Sequence, residues 1–196
     1  MTPLVNRIAE LLYPLSDFYA ASGARLPDVE TVDGLKMPQP FRRLLVHRND
    51  MTPTLEAFAG QRIGLRTLEV HRGEDALYRQ VVLITDGDEQ PMEFGAIKIY
   101  VDRFEAEARE KILGCRCPLG TILHDYKIKH ASRPTDFFSM TSDPVIAGAL
   151  GLEDAERTLY GRHNVLWDAE NMPLAEVVEV LPPFDDRPNA QENGDG

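Results

Sequence analysis

The chain has 196 residues, of which 43% are apolar and 27% charged, and a formal net charge of −11. These fractions suit one ordinary globular domain that buries a full core without staples. The acidic balance argues against a nucleic-acid surface, which needs a basic stripe, and requires any anion site to be local and preorganised.

At the N-terminus Asn6, Arg7 and Glu10 interrupt any apolar signal region, and no run approaches the length of a membrane span. A soluble, cytoplasmic protein is expected. Residues 3–15 place Leu4, Ile8, Leu11, Leu12 and Leu15 on one helical stripe, and Pro14 ends that helix. Residues 22–40, with Gly23, Pro27, Gly34, Pro38 and Pro40, read as a long loop. Residues 41–47 suit a short strand or a helical turn, and residues 62–71 alternate loosely as a strand.

Residues 77–101 organise the chain. Two apolar runs flank the polar turn Asp86-Gly87-Asp88-Glu89-Gln90-Pro91, the pattern of a β-hairpin. Alternation puts Arg79 with Val81, Leu83 and Thr85, and Lys98 with Phe94, Ala96 and Tyr100. A buried cation costs several kcal/mol unless paired, so these two either face solvent or meet an anion inside. Asp102, with Glu105 three residues on, reads as a capped helix start, and Gly114 as the residue just past that helix. Further strands are expected over residues 164–167 and 174–181, the last stopped by Pro182-Pro183. Residues 184–196 are polar and are expected to be disordered, leaving one domain over residues 1–183. The class is α+β, with a single, largely antiparallel sheet flanked by helices.

Two cysteines one residue apart, Cys115 and Cys117, are too few for a disulfide framework. A zinc site would need two more ligands, for which His124 and His130 have no characteristic spacing, so no metal is expected. Thr52-Pro53 and Cys117-Pro118 share a pattern: proline favours the first helical position and pushes the preceding residue out of the helix. Thr52 and Cys117 are therefore expected as caps of helices over 53–59 and 118–126, and Asp143-Pro144 marks a third start. Free N–H groups at such starts attract anions, although all three also read as plain helix caps. On the last strand Glu176 and Glu179 point to opposite faces, so at least one lies among apolar neighbours unless the strand is a wet edge. A carboxylate there is a candidate acid, base or hydroxyl-binding group.

Several short segments resemble the chorismate lyases (chorismate pyruvate-lyases), including their divergent actinobacterial branch. They are Asp50-Met51-Thr52, LYRQVVL around Arg79, Asp86-Gly87 followed by Pro91, EFGAIKI with Gly95, CPLGTIL, LYGRHNVL and PLAEVVEVLPP, in the family's order over residues 44–183. The resemblance implies a sheet of about six antiparallel strands and a buried site for 4-hydroxybenzoate under helical flaps. Arg79 matches the strand arginine that grips the product carboxylate, and the amides of Met51 and Leu119, beside Thr52, complete the grip. Glu179 matches the glutamate near the ring hydroxyl and the breaking ether; it stands six residues after Pro173, the spacing of the divergent branch. Typical lyases carry an arginine directly after the glycine of the second hairpin strand; here Ala96 stands there, and Lys98 is the candidate substitute as a point charge. The implied activity converts chorismate to 4-hydroxybenzoate and pyruvate without a metal or organic cofactor, with Arg79 and Glu179 as catalytic residues. The alternatives are a ligand-sensing module for a small aromatic acid, since regulator domains resemble this fold, and a lyase for a related enolpyruvyl substrate. The oligomeric state is left open, with a monomer as the default.

Overall fold

The computed structural model describes residues 3–153 and 156–184. In chain order the elements are α1 (Pro3–Leu11), α2 (Leu15–Ser22), β1 (Val29–Thr31), α3 (Phe41–Leu45), α4 (Met51–Ala59), β2 (Ile63–Arg72), β3 (Leu77–Thr85), β4 (Pro91–Ile99), α5 (Ala106–Leu113), α6 (Leu119–Asp125), β5 (Ala131–Thr141), α7 (Pro144–Leu150), β6 (Thr158–Trp167) and β7 (Pro173–Leu181). The described strands form one seven-stranded sheet in the order β1-β5-β6-β7-β4-β3-β2. Every pairing is antiparallel. The hairpin of β3 and β4 is present, and β7 returns to the sheet centre between β4 and β6. Glu176 and Glu179 thus sit on a central strand, which rules out a wet edge as their explanation.

Helices cover both faces, so the central strands are apolar on both sides. On one face Val82, Phe94, Ala96, Val178 and Val180 pack with Leu12, Leu15 and Phe18 of the α1–α2 segment and with Ile146 and Leu150 of α7. On the other, Leu77, Ile97, Ile99 and Val177 pack with Ala108 and Ile112 of α5 and Ile122 and Leu123 of α6. Further along that face Leu83 and Leu181 meet Leu44 and Leu45 of α3 and Met51 and Leu55 of α4.

Four expectations need correction. The loop expected over 22–40 contains β1 and a 3-10 turn at Gly34–Lys36, and β1 adds the seventh strand. Three residues are too short to show a period of two. β5 was not foreseen: Pro134 stands inside it and its register shifts between Pro134 and Asp136, which breaks the alternation. Asp102 does not open α5; Val101–Arg103 is a 3-10 turn and α5 begins after Glu105. The Arg109 guanidinium holds that turn by donating to the carbonyls of Val101, Asp102 and Phe104 at 2.9, 3.2 and 3.1 Å. Gly114 keeps a right-handed φ of −70°, and Cys115 takes the positive φ, 52°. Finally, Phe184 is part of the fold rather than of a tail: its ring lies 5.0 Å from Phe58 and 6.2 Å from Phe41. Residues 185–196 lie outside the described residues.

One glycine sets how closely β6 lies against its neighbours β5 and β7. A Cβ on Gly161 would lie 2.5 Å from the Phe138 ring and 2.6 Å from the Glu179 carbonyl oxygen. The ring is buried and the carbonyl is backbone, so neither yields cheaply. Gly161→Ala is expected to cost roughly 3 kcal/mol, the upper part of the range for overpacking. An unchanged urea midpoint would show that the sheet relaxes there.

Candidate functional site

Between the sheet and the starts of α4 and α6 lies a cavity of about 60 Å³. Its floor is built by alternation on β3, β4, β6 and β7. In register, Arg79 stands opposite Ile97, Val81 opposite Gly95, and Gly95 opposite Glu179. The structure brings Arg79, Met51, Thr52, Leu119 and Glu179 around this one cavity.

Arg79 forms the cationic pole. It is 1% exposed, and its Nε and Nη1 have no hydrogen-bond partner among the described residues. Burial lowers its pKa, an effect partly offset by the Cys115 and Cys117 sulfurs, yet a guanidinium keeps its charge in a protein. No carboxylate among the described residues pairs with it. A charge so placed costs several kcal/mol in the empty fold, and an anion entering the cavity would offset that cost.

Met51 and Leu119 are the first residues of their helices, and each lines the cavity. Their N–H groups have no acceptor within the helix. The caps differ from expectation. Asp50, not Thr52, precedes α4 with an extended backbone, and Pro118, not Cys117, precedes α6. Proline needs no N–H acceptor anywhere in the first turn, so its signal slides by a residue or two. Only Asp143-Pro144 has the expected geometry, with the Asp143 carboxylate accepting from the Ile146 N–H at 2.9 Å. The Asp50 carboxylate instead meets His130 Nε2 at 2.8 Å, and this hydrogen bond raises the His130 pKa. The two helix starts touch each other, because a Cβ on Gly120 would lie 2.8 Å from Thr52 Oγ1. Benzene occupies an engineered cavity of roughly 150 Å³. The cavity here is smaller.

The far pole is acidic, and two of its residues were missed in the sequence. Arg162, fully buried, donates through Nε to Glu179, and its other nitrogens donate to the carbonyls of Leu45, His47 and Asn49 at 2.9, 3.1 and 3.4 Å. Glu93 is 3% exposed, and its Oε2 has no partner among the described residues. Burial pushes the Glu93 carboxyl well above the ordinary range, and the Glu179 charge pushes it further, with Arg162 opposing. A signal for both existed. Arg162 alternates with Asn164 and Leu166, and Glu93 with Gly95 and Ile97, as charged residues inside apolar strands.

Lys98 does not join this site. It pairs with Tyr78 on one side and Glu176 on the other, on the face opposite Arg79. Its Nζ lies 4.6, 5.3 and 5.6 Å from the ring centres of Tyr100, Tyr13 and Tyr78. Glu176 accepts from the Tyr100 hydroxyl on that same face, so of the two glutamates Glu179 faces the cavity. Lys98 shares its face with Ala96, the position of the missing arginine, and both lie on the side of the sheet away from Arg79 and the cavity. Lys98→Met is therefore expected to leave carboxylate binding unchanged in a calorimetric titration; a severalfold loss would place its charge in reach of the ligand. Among the described residues no group of three His, Cys, Asp or Glu side chains could hold a metal ion.

The seven-stranded antiparallel sheet, with helices on both faces, is an α+β fold that this chain shares with the effector domain of PhnF from Mycobacterium smegmatis. Among solved structures the chain is similar to PhnF from Mycobacterium smegmatis, with a TM-score of 0.53 and 15% identity over 69% of this chain and 64% of that one. It thus spans about two thirds of the length of PhnF. The effector domain of PhnF alone matches with a TM-score of 0.50 and 15% identity, covering 67% of this chain and 87% of that one. At this identity the likeness is one of fold. No protein-family model matches the sequence, and no curated protein matches it. Among the described residues no helix is long and apolar enough to cross a membrane.

Proposed function

We propose that this chain binds a small aromatic carboxylate of the 4-hydroxybenzoate class in the cavity between the sheet and the starts of α4 and α6. The observation that carries the reading is Arg79, a buried guanidinium with unpartnered Nε and Nη1 that lines the cavity. Charge-assisted hydrogen bonds from it suit a planar carboxylate, and the N–H groups of Met51 and Leu119 border the same space. The fold likeness to the effector domain of PhnF supports a ligand-sensing role for this binding.

A second reading, chorismate pyruvate-lyase activity, is favoured by the acidic pole. Elimination of pyruvate breaks the ether bond to the ring, takes a hydrogen from the ring carbon that bears the hydroxyl, and delivers a proton to the departing enolpyruvyl group. The ring becomes aromatic and supplies the driving force. Glu179 and Glu93, facing one cavity, are groups that could hold or pass that proton. The ring would be gripped at Arg79 and shielded from water by α4 and α6.

One experiment separates the readings. Purified protein is titrated with 4-hydroxybenzoate in a calorimeter and, separately, incubated with chorismate while products are identified by chromatography. Saturable binding without turnover marks a sensing module. Stoichiometric 4-hydroxybenzoate and pyruvate mark the lyase. No heat and no product would overturn both.

A further inference from the structure

We infer that Glu93 determines the cavity's specificity: its neutral carboxyl donates a hydrogen bond to an oxygen substituent on the ligand, at the end of the ring away from Arg79. The inference rests on the reading that an aromatic carboxylate sits at Arg79.

The strand register sets the two poles apart. Ile97 lies opposite Arg79, and Glu93 lies opposite Leu83 on the same face. Four residues separate Ile97 from Glu93, which is roughly 13 Å at about 3.3 Å per residue. Arg79 and Glu93 both line the cavity, one towards each end of that span. The intervening floor is Val81, Gly95 and Val177, beside Asn164, whose amide is bonded to Ser132.

Charge accounts for the proton. Two neighbouring carboxylates in a dry site cannot both ionise without a cation for each. Arg162 directs Nε to Glu179, its Nη1 donates to the carbonyls of residues 45 and 47 and its Nη2 to that of residue 49, and none of its hydrogen bonds goes to Glu93. No other cation among the described residues stands at this pole. Glu93 is therefore the member that carries the proton at neutral pH, and its burial favours the same form.

Geometry leaves the group free to act. Oε2 is buried and unpartnered, so the hydroxyl of a neutral Glu93 is not committed within the fold. Gly95 makes room for it, since a Cβ there would lie 3.1 Å from Glu93 Oε1. A carboxyl kept for structural reasons would have its donor satisfied internally, as Asn164 and Ser132 satisfy each other at 2.9 and 3.2 Å nearby.

The test compares two ligands of nearly equal shape, 4-hydroxybenzoate and 4-methylbenzoate. The wild type should bind the hydroxy acid at least about tenfold more tightly, because the methyl group leaves the buried donor unmade. Glu93→Leu should abolish or invert that ratio while binding 4-methylbenzoate at least as well as the wild type does. A structural role alone would weaken both ligands together. An unchanged ratio in Glu93→Leu, or a wild type indifferent to the two ligands, overturns the assignment and leaves the Arg79 site standing. If the wild type binds neither ligand, the carboxylate reading falls and this inference with it. A measurement without ligand guards against misfolding of Glu93→Leu. The wild type at pH 7 should show the infrared carbonyl band of a protonated carboxyl, and the near-isosteric Glu93→Gln should lack it. Absence of the band from the wild type overturns the inference.

Discussion

Arg79→Met should bind no measurable 4-hydroxybenzoate and should melt at a higher temperature than the wild type. Both effects have one cause. The guanidinium is buried, and its Nε and Nη1 have no partner among the described residues, so the unliganded fold carries a desolvated charge. Replacing it with an apolar side chain of similar length removes that cost and keeps the packing against Ile97 and Val81. The gain should reach at least about 1 kcal/mol, by comparison with buried charged groups replaced by apolar ones. For a chain of this size each kcal/mol moves the melting temperature by about 2–4 °C. Ligand binding should lose roughly 2–5 kcal/mol, the range for truncating one partner of a buried charge pair. Arg79→Lys should not restore it, since an ammonium cannot make the planar fork. Calorimetric titration and a thermal melt on the same preparation decide the matter. A variant that folds and binds like the wild type would remove Arg79 from the site, whereas one that melts lower would mean that the guanidinium is satisfied in the unliganded fold.

Arg162→Met should have the opposite effect on stability, a loss of about 3–5 kcal/mol, because it leaves a buried carboxylate without its cation. The side chain is fully buried and pairs with Glu179, a residue that is 5% exposed. It also ties the carbonyls of Leu45, His47 and Asn49, and so holds the segment that leads into α4. The double variant Arg162→Met with Glu179→Met should recover a large part of the loss, since the two deletions share one interaction. Urea denaturation of the two single variants and the double variant measures this directly. A single-variant loss below about 1 kcal/mol would show that water or a shift of β6 compensates.

The two arginines show what burial alone does not say. Each lies in a strand and each faces the same side of the sheet, yet one is saturated with partners and the other is not. Arg162 is a structural cation whose anion stands in the neighbouring strand. Arg79 lines a cavity beside two helix starts, and no carboxylate among the described residues pairs with it. That contrast, rather than the presence of arginine in a strand, separates a binding group from a packing group.

Local sequence determined a good part of this protein. Alternation within a strand put Arg79 with Val81 and Leu83, and Glu179 with Val177, and those groupings stand because a strand's period is two wherever it lies. The hairpin, the final strand stopped by Pro182-Pro183 and the capped start at Asp143 are likewise short-range matters of turn, proline and cap chemistry. What tertiary structure decided is which strands share a face and which charges meet. Alternation could not say that Lys98 lies opposite Tyr78 rather than Arg79, because a one-residue change of register would have reversed the answer. The partners of Arg162 lie 17 residues away at Glu179 and 117 residues away at Leu45, and only folding brings them together. The same holds for Glu93. In sequence it is one acidic residue in an apolar strand, and its neutral state follows from Arg162 being committed elsewhere. The pairing of charges in a desolvated site depends on distances that the chain acquires only when the sheet has formed.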